Sequence, residues 1–113
     1  MRKLTIVPLI AIIALLAIPA LASSAAAATI NLGDSFFSPS SKTVSVGTKV
    51  RFNWTGKKKH NVFKQSGPGS SFHSITTKSR GVNFAKTFSK AGTYKLLCTL
   101  HPKEMKLTLR VTR

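Results

Sequence analysis

From Thr43 onward, apolar and polar residues alternate in short runs. Val44 and Val46 alternate with Thr43 and Ser45, and Gly47-Thr48 marks a turn. Val50, Phe52 and Trp54 then alternate with Lys49, Arg51 and Asn53, the period-two pattern of a half-buried strand. The clearest case is the last: Met105, Leu107, Leu109 and Val111 point one way, and Lys106, Thr108, Arg110 and Thr112 the other. Between these lie a strand over Val82 to Phe88, a turn at Gly92, and a strand from Tyr94 to Cys98. A shorter strand is expected at Asn61-Val62-Phe63. The stretch from Gln65 to Gly81 is rich in Ser, Gly and Thr and predicts a long, mostly irregular connection. Beyond the N-terminal region no segment has helical period, and there is no internal repeat. Short strands divided by turns at this spacing predict an all-β sandwich or barrel.

The N-terminus follows a different pattern. Met1-Arg2-Lys3 is a short positive region, and Leu4 to Ile18 is an apolar run interrupted only by Thr5 and Pro8. Pro19 and the small residues Ala22-Ser23-Ser24-Ala25-Ala26-Ala27-Ala28 follow. That order predicts a secretory signal peptide over residues 1–28, cleaved near Ala27 or Ala28, and a mature domain over 29–113. An uncleaved N-terminal anchor is the alternative, because the apolar run approaches the length of a membrane-spanning helix. Either way the protein is expected to be exported, to a periplasm, the cell surface or the medium.

Composition narrows the chemistry. The 113 residues hold 18 Lys+Arg and only two acids, Asp34 and Glu104, for a net charge of +16. Cleavage before Thr29 removes Arg2 and Lys3 and leaves +14 on 85 residues. A hydrophobic content of 42% is too high for a disordered polycation. Two acids leave no carboxylate pair for glycosidase or aspartic-protease chemistry. The one cysteine permits no internal disulfide, and no glycine-rich phosphate loop is present. A domain this small has a modest core, and a metal bound only by the folded state would stabilise it.

The residues with chemistry to offer are His60, Cys98, His101 and Met105. Cys98-Thr99-Leu100-His101-Pro102-Lys103-Glu104-Met105 puts a thiol, an imidazole and a thioether on one connection between two strands, with His60 38 residues upstream of the cysteine. Two imidazoles and a thiolate in a plane, with a weak axial thioether, make the mononuclear blue-copper arrangement. The thiolate is a soft donor to Cu(II), imidazole suits both oxidation states, and thioether favours Cu(I). Taken singly, each residue has a plainer explanation. Met105 is in phase with Leu107 as a core residue, a lone cysteine is usually a small buried hydrophobe, and His60 follows the solvated run Lys57-Lys58-Lys59. Their coincidence in one β-domain favours a single copper ion as the cofactor. Zinc is the rival metal, but thioether is a poor fourth ligand for it. His73 has no partner at ligand spacing and reads as a loop residue.

At these residues the chain resembles the cupredoxins, the small blue copper proteins of the plastocyanin and azurin type. Phe37-Ser38-Pro39, Val44-Ser45-Val46-Gly47 and Val50-Arg51-Phe52-Asn53-Trp54 are similar to the family's first strands. Phe88-Ser89-Lys90-Ala91-Gly92-Thr93-Tyr94 leading to Cys98-Thr99-Leu100-His101-Pro102 resembles its most recognisable signature. The resemblance spans essentially the whole mature chain. It implies an eight-stranded Greek-key sandwich with copper at one end, held by His60, Cys98, His101 and Met105. It also implies that Asn61 and Thr99 tie the two ligand loops together, and that electrons pass through the exposed edge of His101, flanked by Leu100 and Pro102. The loop is a hybrid: two residues separate Cys98 from His101, as in plastocyanins, and three separate His101 from Met105, as in azurins. That leaves Glu104, beside Met105, as an alternative axial ligand.

One cysteine excludes a binuclear purple centre, and three histidines exclude the further copper clusters of multicopper oxidases and nitrite reductases. The expected role is thus a one-electron carrier, not an enzyme. An envelope copper-delivery protein with the same ligands and a metal-free cationic binding module are the alternatives. The positive charge suits a redox partner with an acidic docking surface, or an anionic envelope surface. Nucleic acid, with Trp54 or Phe63 as stacking groups, is not expected, since both fit an inward strand phase. The chain is expected to be a monomer.

Overall fold

The computed structural model describes residues 26–113, and every regular element within them is a β-strand. The expected leader lies outside the described residues except for its last three. The strands are β1 (Ala27–Gly33), β2 (Phe36–Ser38), β3 (Ser41–Ser45), β4 (Thr48–Trp54), β5 (Phe63–Ser66), β6 (Gly81–Phe88), β7 (Gly92–Leu97) and β8 (Lys106–Thr112). They form two four-stranded sheets, in the orders β2-β1-β4-β6 and β3-β8-β7-β5. The pairings β1–β4 and β3–β8 are parallel, and the others are antiparallel. This is the all-β sandwich that the alternation predicts.

The inward phases of the strands explain why the sheets stack. Ile30 and Leu32 of β1, Val50, Phe52 and Trp54 of β4 and Phe88 of β6 meet Tyr94 and Leu96 of β7 and Leu107, Leu109 and Val111 of β8 in one buried cluster. Each such side chain contributes about 1.5–3 kcal/mol on burial. In β4 and β8 the burial alternates residue by residue, as their sequence pattern requires.

Three local expectations are corrected, and one strand lies where the alternation gave no signal. β1 is not evident from alternation, because Ala27, Ala28 and Thr29 carry little apolar signal. It nonetheless runs beside β4 and pairs Ala27 with Lys49 and Ala28 with Val50. Val46 does not continue the inward phase of Val44. β3 ends at Ser45, and Val46 sits 37% exposed in the turn that Gly47, at φ 92°, completes. The strand expected at Asn61–Phe63 begins only at Phe63. Its phase is reversed as well: Phe63 is 37% exposed and Lys64 is buried. Lys64 tolerates burial because its ammonium donates to the carbonyls of Pro68, Gly69 and Ser70 at 2.5, 2.9 and 3.1 Å. The rings of Phe72 and Tyr94 flank it at 5.8 and 5.7 Å. The connection from Gly67 to Arg80 is mostly irregular, pinned by bridges at His73 and Thr77.

Candidate metal centre

Two segments meet at one end of the sandwich. The upstream one carries His60, which is fully buried although it lies outside the named strands. Its backbone forms a two-way bridge with Thr77, at 3.0 and 3.1 Å. The Trp54 indole N–H donates to the carbonyls of both His60 (3.2 Å) and Thr77 (3.0 Å), so the end of β4 clamps this bridge. The buried indole needs a partner for its N–H, and the bridge needs an anchor; one contact meets both demands.

The downstream segment is the Cys98–Met105 loop between β7 and β8. Three backbone bonds close it: Cys98 N–H to Met105 O (3.1 Å), His101 N–H to Cys98 O (3.1 Å) and Met105 N–H to His101 O (2.9 Å). Cys98 and Met105 are fully buried, and His101 is half-buried. Leu100, Pro102, Lys103 and Glu104 face solvent. Glu104 stands outside the group of converging ligand atoms and faces solvent. The reason is phase: Met105 is turned inward with Leu107, and its neighbour is turned out.

Asn61 joins the two segments. Its amide nitrogen donates to the hydroxyls of Thr99 (2.8 Å) and Thr76 (2.9 Å), and its carbonyl oxygen accepts from the Thr99 N–H (2.9 Å).

The result is a convergent donor set. One ligand atom from each of His60, Cys98 and His101 lies within 4.8 Å of the others. Cys98 Sγ is 4.0 Å from His60 Nδ1 and 3.8 Å from His101 Nδ1. Nitrogen and sulfur ligands about 2.1 and 2.3 Å from a shared ion, and about 120° apart, are separated by about 3.8 Å. The three atoms therefore fit around a single ion of first-row size. A buried thiol between two imidazoles, with a buried thioether residue closing the loop, is the donor chemistry of copper. His73, as expected, lies apart from this group.

One contributor was not foreseen. Asp34, in the turn between β1 and β2, places its Oδ1 2.9 Å from His60 Nε2, within hydrogen-bond distance. The same carboxylate accepts from the backbone N–H groups of Lys57 (3.0 and 3.1 Å) and Lys58 (3.0 Å). The His60 bond first, and then the two backbone bonds, hold its pKa well below the usual carboxylate range. Among the described residues no other acidic side chain lies within 4.0 Å of a basic one. The only sequence signal was scarcity, since the chain has just two acids. The Lys57–Lys59 run lies exposed beside this contact. A cavity of about 130 Å³, lined by Pro68, Phe72, Lys86, Phe88 and Tyr94 among others, sits by the β6–β7 turn, at the far end of β7 from Cys98.

Fold and donor set together define a β-sandwich copper protein, and comparison with known proteins agrees. Residues 24–112 match the family model of copper binding proteins of the plastocyanin/azurin family, and the chain belongs to that family. Among solved structures it is similar to a purple cupredoxin from Nitrosopumilus maritimus, at 26% identity and a TM-score of 0.63, over 75% of this chain and 99% of that one. A reduced amicyanin variant matches at 24% identity and a TM-score of 0.67, over 81% and 87% of the two chains. A copper-containing nitrite reductase from Thermus scotoductus SA-01 matches at 24% identity and a TM-score of 0.71. That match covers 86% of this chain but only 25% of the reductase, so the shared part is a quarter of the larger protein. No curated protein sequence matches the chain significantly.

Proposed function

We propose that this chain is a mononuclear type 1 (blue) copper protein that carries single electrons between redox partners outside the cytoplasm. The observation that carries the reading is the convergence of one buried thiol and two imidazoles in a member of a copper-binding family. His60 and His101 would hold the ion through Nδ1 and Cys98 through Sγ, and Met105 would offer its soft thioether as a further weak donor. Bound there, copper supplies a one-electron couple between Cu(II) and Cu(I).

The protein's own groups do the rest. Burial keeps the Cys98 sulfur away from other thiols and from oxidants. The Asn61–Thr99 contacts and the backbone bonds of the loop keep the donors in one arrangement for both oxidation states, which limits reorganisation. His101 is half-buried between exposed Leu100 and Pro102, so its ring edge is the point of closest approach for a partner. The partner is a redox protein with an acidic docking surface, or one met at an anionic envelope surface, in keeping with the excess of cations. Three histidines and one cysteine supply a single mononuclear site, which suits a carrier of one electron at a time better than a catalyst. The signal-like N-terminus supports export.

Titration of the protein with Cu(II), followed by visible absorption and EPR, tests the reading. One equivalent should produce intense thiolate-to-copper absorption in the blue range with narrow copper hyperfine splitting, and Cys98→Ser should abolish both. Weak or non-stoichiometric binding by the unmodified protein would overturn the assignment. Faster copper loss to an acceptor than electron exchange would turn it toward copper delivery.

A further inference from the structure

Asp34 touches no donor atom of the centre, yet the fold brings it to the back of one. β1 and β2 are joined by the two-residue turn Asp34-Ser35, with Gly33 opposite Phe36. The turn has a demanding shape. Ser35 adopts φ 70°, and a Cβ on Gly33 would lie 2.2 Å from the Phe36 ring. Across from it, Gly56 leaves room for the carboxylate, since a Cβ there would lie 2.3 Å from Asp34 Oδ1. The turn and Gly56 thus seat Asp34 Oδ1 2.9 Å from His60 Nε2 and 3.0 Å from the N–H groups of Lys57 and Lys58.

We propose that Asp34 is a positioning residue for the copper centre: its carboxylate holds the Nε2–H tautomer of His60, presents Nδ1 to the ion and favours Cu(II) over Cu(I). The inference rests on the copper reading above. An ionised carboxylate has acceptors and no donors, so the nitrogen facing it must carry the proton. In the neutral ring the other nitrogen, Nδ1, is then bare, and it is the one that faces Cys98 Sγ at 4.0 Å. A carboxylate behind a ligating imidazole also raises the ligand's basicity, and the more highly charged ion gains more from this. The second acid of the chain, Glu104, faces solvent, so Asp34 is the one carboxylate placed to act on the centre. A turn cap alone would need only an uncharged acceptor for Lys57 and Lys58; the contact to His60 is what uses the charge.

Two measurements on the full chain test this. The first needs no variant: long-range ¹H–¹⁵N NMR of the copper-free protein at mildly alkaline pH should show His60 as the Nε2–H tautomer. A dominant Nδ1–H tautomer would overturn the proposal. The second compares Cu(II) and Cu(I) affinities and the reduction potential of Asp34→Asn with those of the unmodified protein. Asn keeps an acceptor for the turn and removes the charge. Loss of such an outer partner typically weakens metal binding about 10–100-fold. Asp34 is 34% exposed, so solvent screening places the expected loss near the lower end, about tenfold, and mainly on Cu(II). A tenfold selective loss raises the potential by about 59 mV. Unchanged affinities and potential in Asp34→Asn, with the unmodified protein still binding copper, would reduce Asp34 to a turn cap. Failure of the unmodified protein to bind copper would overturn the functional reading and this inference together.

Discussion

Asn61 shows how much of the centre hangs on single polar side chains. It is 7% exposed, and its one amide serves Thr76 and both the hydroxyl and the N–H of Thr99. Asn61→Ala leaves those groups without partners next to a buried site. It is expected to destabilise the copper-free protein by about 1–3 kcal/mol in urea unfolding. Asn61→Asp keeps an acceptor for the Thr99 N–H but loses both N–H donors, and should fall between the two. At this scale the sequence was only partly informative. Spacing and residue type pointed to His60, Cys98, His101 and Met105, because donor softness belongs to the residue itself. The bond from Asp34 to His60 spans 26 positions and has no local signature. Lys64 likewise reads as a surface lysine until three carbonyls are seen to surround its ammonium.

At the scale of the element, strands with a strict period announced themselves, and strands without one did not. β4 and β8 bury every second side chain and were legible outright. β1 lies between β2 and β4 in its sheet, yet it begins with alanines whose small side chains give alternation little to act on. Its first residues still do structural work: the Ala26 carbonyl accepts from Lys49 N–H at 3.0 Å, and Ala27 and Ala28 continue the ladder. A domain produced from Thr29 is therefore expected to be less stable than one produced from Ala26. The loss should be about 1–3 kcal/mol, read from their denaturant midpoints at equal slope. The Cys98–Met105 loop is shaped at this scale too. Its inward and outward phases carry over from β8, which is why Met105 is buried and Glu104 is not.

For the molecule as a whole, charge dominates what a partner meets. Among the described residues sixteen cations, all but Lys64 outside the core, stand against two acids, one of them engaged by His60, and Lys57–Lys59 lie beside the centre. Electron exchange of the copper-loaded protein with ferricyanide, an anionic oxidant, should slow by about tenfold or more between 10 and 150 mM salt, as the screening length falls from about 30 to about 8 Å. With a cationic cobalt complex the same change should speed the reaction. A rate indifferent to salt with both oxidants would mean that the charge is not organised around the exposed edge of His101.

What the sequence determined by itself was set by local rules. Period-two alternation specifies strands, turn residues divide them, and the order of soft and imidazole donors names a metal. A recognisable Cys-to-His segment adds the family, and residues 24–112 match its model. What only the tertiary structure decided depends on which distant segments come together. The β1–β2 turn meets the Lys57–His60 segment, Trp54 clamps His60 to Thr77, and the phase of β5 is reversed around Lys64. Such contacts are energies between surfaces that exist only once the sheets have stacked. Asp34 and His60 lie 26 positions apart and Trp54 and Thr77 lie 23 apart, and even the shorter spans from Trp54 to His60 and from Lys64 to its carbonyls carry no periodic signal.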